Sequence, residues 1–352
     1  MTIARSVQET MRLPPLPTIR DILKLYRLQA LRQLSQNFLL DQRLTDKIVK
    51  AAGNISNSEV CEVGPGPGGI TRSILNKGPS KLIVIEKDKR FAPALDLLVE
   101  SSHQRMQVIL GDVMNFDMSK MFSEDKRRDW EDRPPHIHII GNLPFSVSTP
   151  LIIRWLQAMS ERQNAWSYGR TRLTLTFQKE VGERMVADIM SEQRCRLSVM
   201  CQNWCTVKHK FIIPGKAFVP KPEVDVSVVH FTPRIQPQIP LPFKLIEKVV
   251  RNIFGFRQKY SIRGAEKLFP VPVRQKLGTE MYHLAEIDPT TRPFQLTVEE
   301  FGRLCHAYCK ICDQDPRLHK YNHRAAREER EDFDSLYEEE QALLETVSQT
   351  NM

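Results

Sequence analysis

The sequence lacks any long apolar run and contains few cysteines. No stretch approaches the ~20 consecutive apolar residues that a membrane-spanning helix needs, so we expect no bilayer-embedded protein. The 7 cysteines are odd in number and scattered through 352 residues, which argues against a disulfide framework and for a reducing compartment. Cys305, Cys309 and Cys312 share one face of a predicted helix with apolar neighbours. We interpret them as buried small side chains and not as metal ligands.

Acidic residues are scarce in all but the last part of the chain. The whole sequence has 51 Lys and Arg residues against 42 Asp and Glu residues, a net charge of +9. From Asp313 onward, 11 acidic and 5 basic residues give −6, so Met1–Cys312 carries +15. Such a basic body predicts a polyanionic partner, most commonly nucleic acid. The acidic tail, 313–352, has too few apolar residues to fold alone and is predicted to be disordered or a loose helix.

The first 34 residues are rich in arginine and poor in acid. Apolar residues recur at helical spacing between basic ones over Ile19–Leu28. An Arg-rich amphipathic start is typical of a mitochondrial targeting segment and not of a secretory signal. A helix packed on the following domain explains the pattern equally well, because the proline-rich Leu13–Pro17 interrupts it. We therefore interpret 1–34 as a mitochondrial targeting segment or N-terminal extension.

A predicted strand, a glycine loop and a helix follow one another over Val60–Thr71. Glycines here let the backbone approach a ligand, and the start of the helix offers N–H groups to an anion. The second strand ends at Glu86, about where an acidic side chain binds a ribose diol. The third strand ends before Asp112, which is placed to accept from an adenine amino group. Polar residues at successive strand ends predict a doubly wound α/β sheet with its ligand in the crevice above.

A dinucleotide-binding domain is the alternative for this glycine loop. The spacing Gly64-x-Gly66-x-Gly68 differs from the G-x-G-x-x-G pattern of that class. The stretch Asn142–Phe145, described next, also has no task in hydride transfer. The sequence therefore favours a methyl-donor cofactor.

The fourth strand is followed by Asn142-Leu143-Pro144-Phe145. Pro144 removes a backbone donor and keeps Leu143 out of helical geometry, so the loop is stiff. The Asn142 amide oxygen and the Leu143 carbonyl can each accept one hydrogen of an aromatic amine, and Phe145 can stack on its ring. Two such acceptors draw an adenine N6 toward tetrahedral geometry and aim its lone pair outward. A simpler interpretation is that Asn142 caps a helix beginning near Thr149-Pro150.

Three further strands, Leu173–Phe177, Phe211–Ile213 and Val226–Val229, complete a predicted seven-stranded sheet. Between the last two, Ala217–Val224 alternates proline with apolar residues, which predicts an extended loop. This loop could present Phe218 to the crevice, and core packing of Phe218 remains equally open.

Prolines cluster over 233–242 and indicate a linker to a small helical domain over 241–312. Its first half interleaves basic and aromatic side chains, which suits a nucleic-acid backbone. The basic residues are Arg251, Arg257, Lys259 and Arg263. Phe254, among them, is also explained as core.

In this order, six motifs resemble those of the rRNA adenine N6-dimethyltransferase family. They are Gln36-Asn37-Phe38-Leu39, Glu62-Val63-Gly64-Pro65-Gly66-Pro67-Gly68, Glu86-Lys87-Asp88, Gly111-Asp112-Val113, Asn142-Leu143-Pro144-Phe145 and Phe218-x-Pro-x-Pro-x-Val224. The resemblance covers Ser35–Cys312, and the basic start and acidic tail resemble mitochondrial members of the family. One departure is Gln258, which stands where many relatives have a second arginine.

The resemblance implies a Rossmann-like methyltransferase domain that uses S-adenosylmethionine over 35–235, and a helical RNA-binding domain over 241–312. The implied catalytic residues are Asn142, Leu143, Pro144 and Phe145. The implied cofactor-binding residues are Gln36, Asn37, Leu39, Gly64, Gly66, Glu86, Lys87, Asp112, Val113 and Asn142. The implied substrate-binding residues are Phe145, Phe218, Arg251, Arg257, Lys259 and Arg263. No metal is implied.

The implied substrate is the small-subunit rRNA of the mitochondrial ribosome. A monomer in the mitochondrial matrix would dimethylate N6 of two adjacent adenines in the 3′-terminal hairpin loop, a step in assembly of the small subunit. The alternative on the same fold is a non-catalytic protein that binds mitochondrial DNA and assists the transcription machinery. An intact amine-holding loop argues against that alternative, because a DNA-binding protein has no need of Asn142.

Overall fold

A computed structural model describes residues 13–30 and 36–350 of the chain. The chain divides into two compact units. The sheet unit comprises Met1–Val186 and Trp204–Ile235, and the helical unit comprises Ala187–Asn203 and Gln236–Met352. Over the described residues, no helix is long and apolar enough to span a membrane.

The sheet unit contains six α-helices and nine strands within its described residues. The helices are α1 (Ile19–Leu25), α2 (Gln42–Ala51), α3 (Gly69–Leu75), α4 (Ala92–Ser101), α5 (Phe145–Ser160) and α6 (Lys179–Val186). The strands are β1 (Phe38–Leu39), β2 (Glu59–Val63), β3 (Lys81–Glu86), β4 (Met106–Leu110), β5 (Ile137–Gly141), β6 (Arg172–Gln178), β7 (Cys205–Ile213), β8 (Phe218–Val219) and β9 (Val226–Pro233). Short 3₁₀ turns occupy Lys89–Phe91, Glu124–Lys126, Asn164–Tyr168 and Gly215–Ala217.

The main sheet has seven strands in the order β4-β3-β2-β5-β6-β9-β7. The first five are parallel, and β9 runs antiparallel between β6 and β7. This confirms the predicted seven-stranded Rossmann-like α/β sheet. Val63 at the end of β2 pairs with Ile85 on one side and Gly141 on the other. The loops after β2, β3 and β5 therefore leave the sheet at one edge, where a ligand crevice forms.

The sheet is buried because its strands are rich in β-branched and other apolar residues. Every residue of β2 and β5 is buried, as expected for central parallel strands covered on both faces. Ile48 of α2, Ile74 of α3 and Leu95 of α4 pack in the core against the sheet. The short strands β1 and β8 pair antiparallel beside this core.

The described part of the predicted N-terminal extension packs on the sheet unit. The Arg72 guanidinium donates to the Pro17 carbonyl at 2.6 Å, and Arg90 donates to the Gln29 carbonyl at 3.2 Å. Ile22 is fully buried. Over 13–30 the packed-helix interpretation is the one observed, while 1–12 and 31–34 lie outside the described residues. Cleavage of a targeting segment stays a prediction.

The helical unit contains six α-helices within its described residues. They are α7 (Arg196–Trp204, whose last residue belongs to the sheet unit), α8 (Phe243–Ile253), α9 (Ile262–Ala265), α10 (Arg274–Ala285), α11 (Val298–Gln314) and α12 (Arg327–Thr350). Short 3₁₀ turns occupy Phe254–Phe256, Glu266–Leu268, Pro293–Gln295 and Pro316–His319. Cys305 and Cys312 are buried on α11. Within the described ranges, no group of three His, Cys, Asp or Glu side chains is suited to a metal ion.

Two parts of the helical unit differ from the predicted domain limits. Ala187–Asn203 belongs to it, although these residues precede the proline-rich linker. Arg194 in this segment is 1% exposed, and its guanidinium donates to the carbonyls of Leu296 and Ala187, both at 3.0 Å. A proline-rich linker in the sequence indicates only where the chain passes from one unit to the next. It cannot show that an earlier segment, Ala187–Asn203, packs in the core of the helical unit.

The acidic tail was predicted to be disordered or a loose helix, and most of it forms a helix. Its helix α12 carries Tyr337, which is buried and whose hydroxyl donates to Asp315. Arg317 pairs with Glu340 at 2.6 Å. The prediction counted apolar residues and missed that charged residues of the tail pair with one another.

Candidate functional site

A cleft lies at the sheet edge where β2, β3 and β5 end. It consists of two adjoining cavities that share Gln36, Gly64, Glu86, Leu143 and Pro144. The first cavity also contains Asn37, Leu39, Gly66, Asn142, Phe145 and Phe218, and the second also contains Lys87, Asp112 and Val113. The structure therefore brings together every site residue predicted for the sheet unit. Their individual roles stay predictions.

The glycine loop closes one side of this cleft. Gly64 has a φ of +68°, in the left-handed region that favours glycine. A Cβ at this position would lie 2.9 Å from Cδ2 of Leu143. Glycine is thus required for the loop to approach the Asn142–Phe145 segment this closely.

Glu86 is fixed beneath the glycine loop. It is 6% exposed, and its two carboxylate oxygens accept from the backbone N–H groups of Gly66 at 2.9 Å and Asp88 at 2.8 Å. Burial raises the pKa of this carboxyl above its usual value, while these two donors oppose the rise. Each oxygen keeps a second lone pair, so the carboxylate can still accept from a ligand hydroxyl.

Asp112 and Lys87 form an ion pair in the second cavity. Lys87 Nζ lies 2.8 Å from Asp112 Oδ2, and the Met114 N–H donates to Asp112 Oδ1 at 3.0 Å. The hydrogen bond from Lys87 chiefly lowers the pKa of Asp112, so this carboxylate is an ionised acceptor. The Lys87 side chain is 64% exposed and acts on the cleft through Asp112.

The Asn142 side chain is held at both ends of its amide. Thr176 Oγ1 donates to Asn142 Oδ1 at 2.7 Å, and Asn142 Nδ2 donates to the Asn37 carbonyl at 3.5 Å. The Leu143 carbonyl accepts no hydrogen bond from another described residue. Of the two acceptors predicted for an aromatic amine, one is therefore oriented by Thr176, and the other accepts from no other described residue.

The helix after this loop starts earlier than predicted. α5 begins at Phe145, not near Thr149-Pro150, and Pro150 lies inside it. Pro144 occupies the N-cap position with no side-chain cap, so the capping interpretation of Asn142 is wrong. Phe145 consequently stands on the first turn, partly buried against the core.

Phe218 is buried in the core and is also part of the cleft. It is 3% exposed, and in β8 it pairs with Leu39 of β1. The predicted extended loop thus contains the short strand β8, which pairs with β1 of the predicted cofactor-binding segment Gln36–Leu39.

Several cleft residues were not predicted. Glu62 is 1% exposed, and burial raises its pKa to about 8 despite a 2.6 Å hydrogen bond from Thr71. Phe38 and Phe91 form an edge-to-face pair with centroids 5.6 Å apart. Glu62 and Phe38 stand in motifs quoted above, so their neighbours gave a signal. Nothing in the sequence indicated Phe91, because a single apolar residue among charged residues at the start of a helix is common.

The four basic residues predicted to bind substrate lie in the helical unit. Arg263 pairs with Glu266 at 3.3 Å. Arg257 and Lys259 have no carboxylate within 4.0 Å among the residues described here. Phe254 stacks on Phe301 with centroids 5.4 Å apart, which supports its core interpretation.

Two exposed aromatic side chains flank these basic residues. Phe256 is 41% exposed and Tyr260 is 50% exposed. Basic side chains beside exposed rings suit a nucleic-acid backbone with unstacked bases.

Comparison with known proteins decides the family. A family model described as ribosomal RNA adenine dimethylase matches residues 27–302. The chain belongs to this family. It is 59% identical over 333 residues to "Dimethyladenosine transferase 1, mitochondrial" of Homo sapiens, covering 95% of this chain and 96% of that protein. The protein of the same name from Drosophila melanogaster is 49% identical, covering 92% and 97%.

Solved structures agree on the fold. The crystal structure of a dimethyladenosine transferase from Plasmodium falciparum superposes with a TM-score of 0.60 at 22% identity, covering 77% of this chain and 96% of that chain. The crystal structure of the 23S rRNA methyltransferase ErmE gives a TM-score of 0.53 at 19% identity, covering 77% and 99%.

The family assigns the activity. This chain is an rRNA adenine dimethyltransferase, and S-adenosylmethionine is its methyl donor. The cleft fits such a cofactor, because a fixed carboxylate, an ionised Asp112 and a glycine cradle lie within it. The relatives are named mitochondrial, and we assign this chain to the mitochondrion.

We expect Thr176→Val to slow methyl transfer about tenfold, equivalent to ~1.4 kcal/mol, because the Asn142 amide loses its orienting donor. Affinities for cofactor and RNA should not change, and Thr176→Ser should restore the single-turnover rate. Thr174→Val is the matched control. Thr174 is buried on the same strand face, and its hydroxyl contacts His230 Nδ1 at 2.9 Å. An equal loss in the control would contradict the positioning role.

We also expect cofactor binding at pH 7 to release protons. With a pKa of about 8, Glu62 is mostly protonated in the free protein. The positive charge of S-adenosylmethionine favours the ionised carboxylate and so lowers this pKa on binding. Binding should therefore strengthen severalfold as pH rises from 6 to 8. Calorimetry in buffers of different ionisation enthalpy measures the release, and Glu62→Gln should abolish it. Equal release by this variant would exclude Glu62 as the source.

Proposed function

We propose that this protein dimethylates N6 of two adjacent adenines in the 3′-terminal hairpin loop of the mitochondrial small-subunit rRNA. It acts as a monomer in the matrix, as a step in assembly of the small subunit. The observation that carries the proposal is the Asn142 amide, which is fixed by Thr176 and is followed in the chain by a Leu143 carbonyl that accepts from no other described residue.

The proposed reaction depends on alignment. The N6 atom of adenine is a poor nucleophile because its lone pair is delocalised into the ring. Asn142 Oδ1 and the Leu143 carbonyl accept the two N6 hydrogens, which turns the lone pair toward the methyl donor. S-adenosylmethionine would supply the methyl group from its sulfonium, and the sulfur would keep the C–S electron pair and leave as a neutral thioether. The methylated amine is acidic enough to lose its proton to water, so no strong base is needed, and positioning carries the rate.

Cofactor contacts in this proposal follow the polarity of the cleft. Glu86 accepts from the ribose hydroxyls, and Asp112 accepts from the adenine amino group. Gly64 and Gly66 line the methionine and ribose side. Apolar contacts to the cofactor come from Leu39 and Val113, and further lining comes from Gln36, Asn37 and Lys87.

The target adenine must leave its stack to reach the cleft. A hairpin loop makes this cheap, because loop bases are already partly unstacked and extrusion costs a few kcal/mol at most. Phe145 stacks on the extruded base, with Phe218 on its other side. The second transfer requires the monomethylated N6 to rotate so that its remaining hydrogen still meets one acceptor.

Transfer of labelled methyl groups to small-subunit rRNA, followed by mapping of the product, tests the proposal. We expect two adjacent dimethyladenines in the 3′-terminal hairpin loop. A non-catalytic protein assisting mitochondrial transcription would instead bind DNA and leave the rRNA unlabelled. Size measurement in solution tests the monomer.

We expect Arg257→Glu with Lys259→Glu to weaken rRNA binding by tenfold or more while leaving cofactor affinity unchanged. Both cations lack a carboxylate partner among the described residues, so both are available to phosphates. Arg263→Gln should have a smaller effect, because Arg263 already pairs with Glu266. Binding titrations at several salt concentrations measure the RNA affinity of the double variant and of Arg263→Gln. RNA affinity that stays level between low and moderate salt would refute the polyanion interpretation.

A further inference from the structure

A second group of cations in the helical unit joins one predicted substrate-binding residue, Arg251, to three residues that were not predicted. It consists of Arg251 on α8, Lys267 in the Glu266–Leu268 turn, His323, and Arg330 on the first turns of α12. All four side chains are half-buried. Among the described residues, no carboxylate oxygen lies within 4.0 Å of Arg251, Lys267 or Arg330.

Three of these side chains have buried nitrogen atoms with no hydrogen-bond partner in the part of the chain that the structure describes. They are Nε of Arg251, Nε of Arg330 and Nδ1 of His323. Buried polar atoms without a partner are rare in folded proteins, and several from cationic side chains in one region indicate a site suited to an anion.

The chain path brings these elements together. Lys248 Nζ donates to the carbonyls of Leu318 at 3.4 Å and His319 at 2.9 Å, so α8 lies against the segment leading to His323. Arg251 is three residues further along α8 and shares the helix face of Lys248.

The electrostatic surroundings of His323 agree with this grouping. Burial, followed by the charges of Arg324, Lys267, Arg251 and Arg330, lowers the pKa of its imidazole to about 4. At pH 7 the ring is therefore neutral and lies in a positive potential that an anion would complement.

We propose that Arg251, Lys267, His323 and Arg330 form a binding site for a phosphate group of the rRNA backbone. Guanidinium groups are well suited to such a site, because they offer paired donors to phosphate oxygens. The inference rests on the proposed use of the helical unit to bind RNA. It assigns part of that task to the segment from Asp313 onward, whose net charge is −6.

The test compares two arginines of α12 in the full-length protein. Arg330→Gln removes a site residue, whereas Arg327→Gln removes an 83% exposed arginine that pairs with Glu331 at 2.6 Å. Affinity for the small-subunit rRNA hairpin is measured over a series of salt concentrations. We expect Arg330→Gln to raise Kd about five- to tenfold near physiological salt and to reduce the salt slope by about 0.7–0.9, the loss of one phosphate contact. Arg327→Gln should change Kd less than twofold.

Unchanged affinity and slope in a folded Arg330→Gln variant, or an equal loss in Arg327→Gln, would overturn the site. Melting curves establish folding, and Lys267→Gln carries the same expectation if Arg330→Gln is unstable. Titration with inorganic phosphate distinguishes a site for free phosphate from a site for the RNA backbone. The NMR signals of the His323 imidazole report phosphate binding. Phosphate saturation of the site combined with unaltered RNA binding in Arg330→Gln would identify a free-anion site and overturn the RNA assignment. Wild-type protein that neither binds nor methylates the rRNA would refute the proposed function itself.

Discussion

Replacement of Asn142 by alanine should lower the rate of methyl transfer to rRNA by about 10²-fold or more. The change removes a preorganised acceptor for the N6 hydrogens, and loss of one such group costs about this much in other enzymes. It also leaves the Thr176 hydroxyl without its acceptor and removes the Nδ2 group that donates to the Asn37 carbonyl. Single-turnover kinetics with the rRNA hairpin measure the rate.

Binding measurements separate this effect from a general defect. Affinities of the Asn142→Ala variant for cofactor and RNA should change far less than its rate. Asn142→Asp keeps an acceptor for Thr176 but replaces the donor to the Asn37 carbonyl, and we expect an intermediate rate. A folded Asn142→Ala variant that dimethylates at the parental rate would refute the mechanism and favour the non-catalytic alternative.

Replacement of Glu86 by alanine should weaken S-adenosylmethionine binding by about 1.5–3 kcal/mol, which is more than tenfold in Kd. A buried carboxylate that accepts from ribose hydroxyls is lost. The Gly66 and Asp88 N–H groups also lose the acceptor that holds the glycine loop in place. Isothermal titration calorimetry on the folded variant gives the change directly.

A neighbouring substitution controls for charge. The Lys87 side chain is 64% exposed and contacts Asp112, so Lys87→Ala should weaken cofactor binding only slightly. If Glu86→Ala bound the cofactor with parental affinity, the ribose assignment would be wrong.

The central strands could be predicted from the sequence because they are short, buried, apolar runs. Only the last three residues of β7 were predicted, because the rest of this strand alternates polar and apolar residues and is partly exposed. The polar residues at the strand ends could also be predicted, since parallel strands bring Glu86, Asp112 and Asn142 to one edge wherever the sheet forms. The short strands β1 and β8 could not. Two residues carry no periodicity, and the pairing of Leu39 with Phe218 depends on segments far apart in the chain.

The other features that were not predicted depend on which segments of the chain lie next to one another in the fold. Nothing in the sequence links Thr176 to Asn142, because a hydroxyl within a strand is ordinary until the neighbouring strand is known. The start of α5 was misplaced because a proline inside a helix is unusual, and Pro150 is the sixth residue of this helix. Arg330 was counted with an acidic tail predicted to be disordered or a loose helix, and its partial burial depends on the folding of that tail.

Membership of Ala187–Asn203 in the helical unit has a consequence for dissecting the protein. The polypeptide passes between the two units three times, after Val186, after Asn203 and after Ile235. A fragment ending at the proline-rich linker would keep Val199 and Met200, which are fully buried in the whole protein, but would lack the helices after that linker. Arg194 would lose the Leu296 carbonyl as well. The methyl-transferring half is therefore not an autonomous module that a single cut can release.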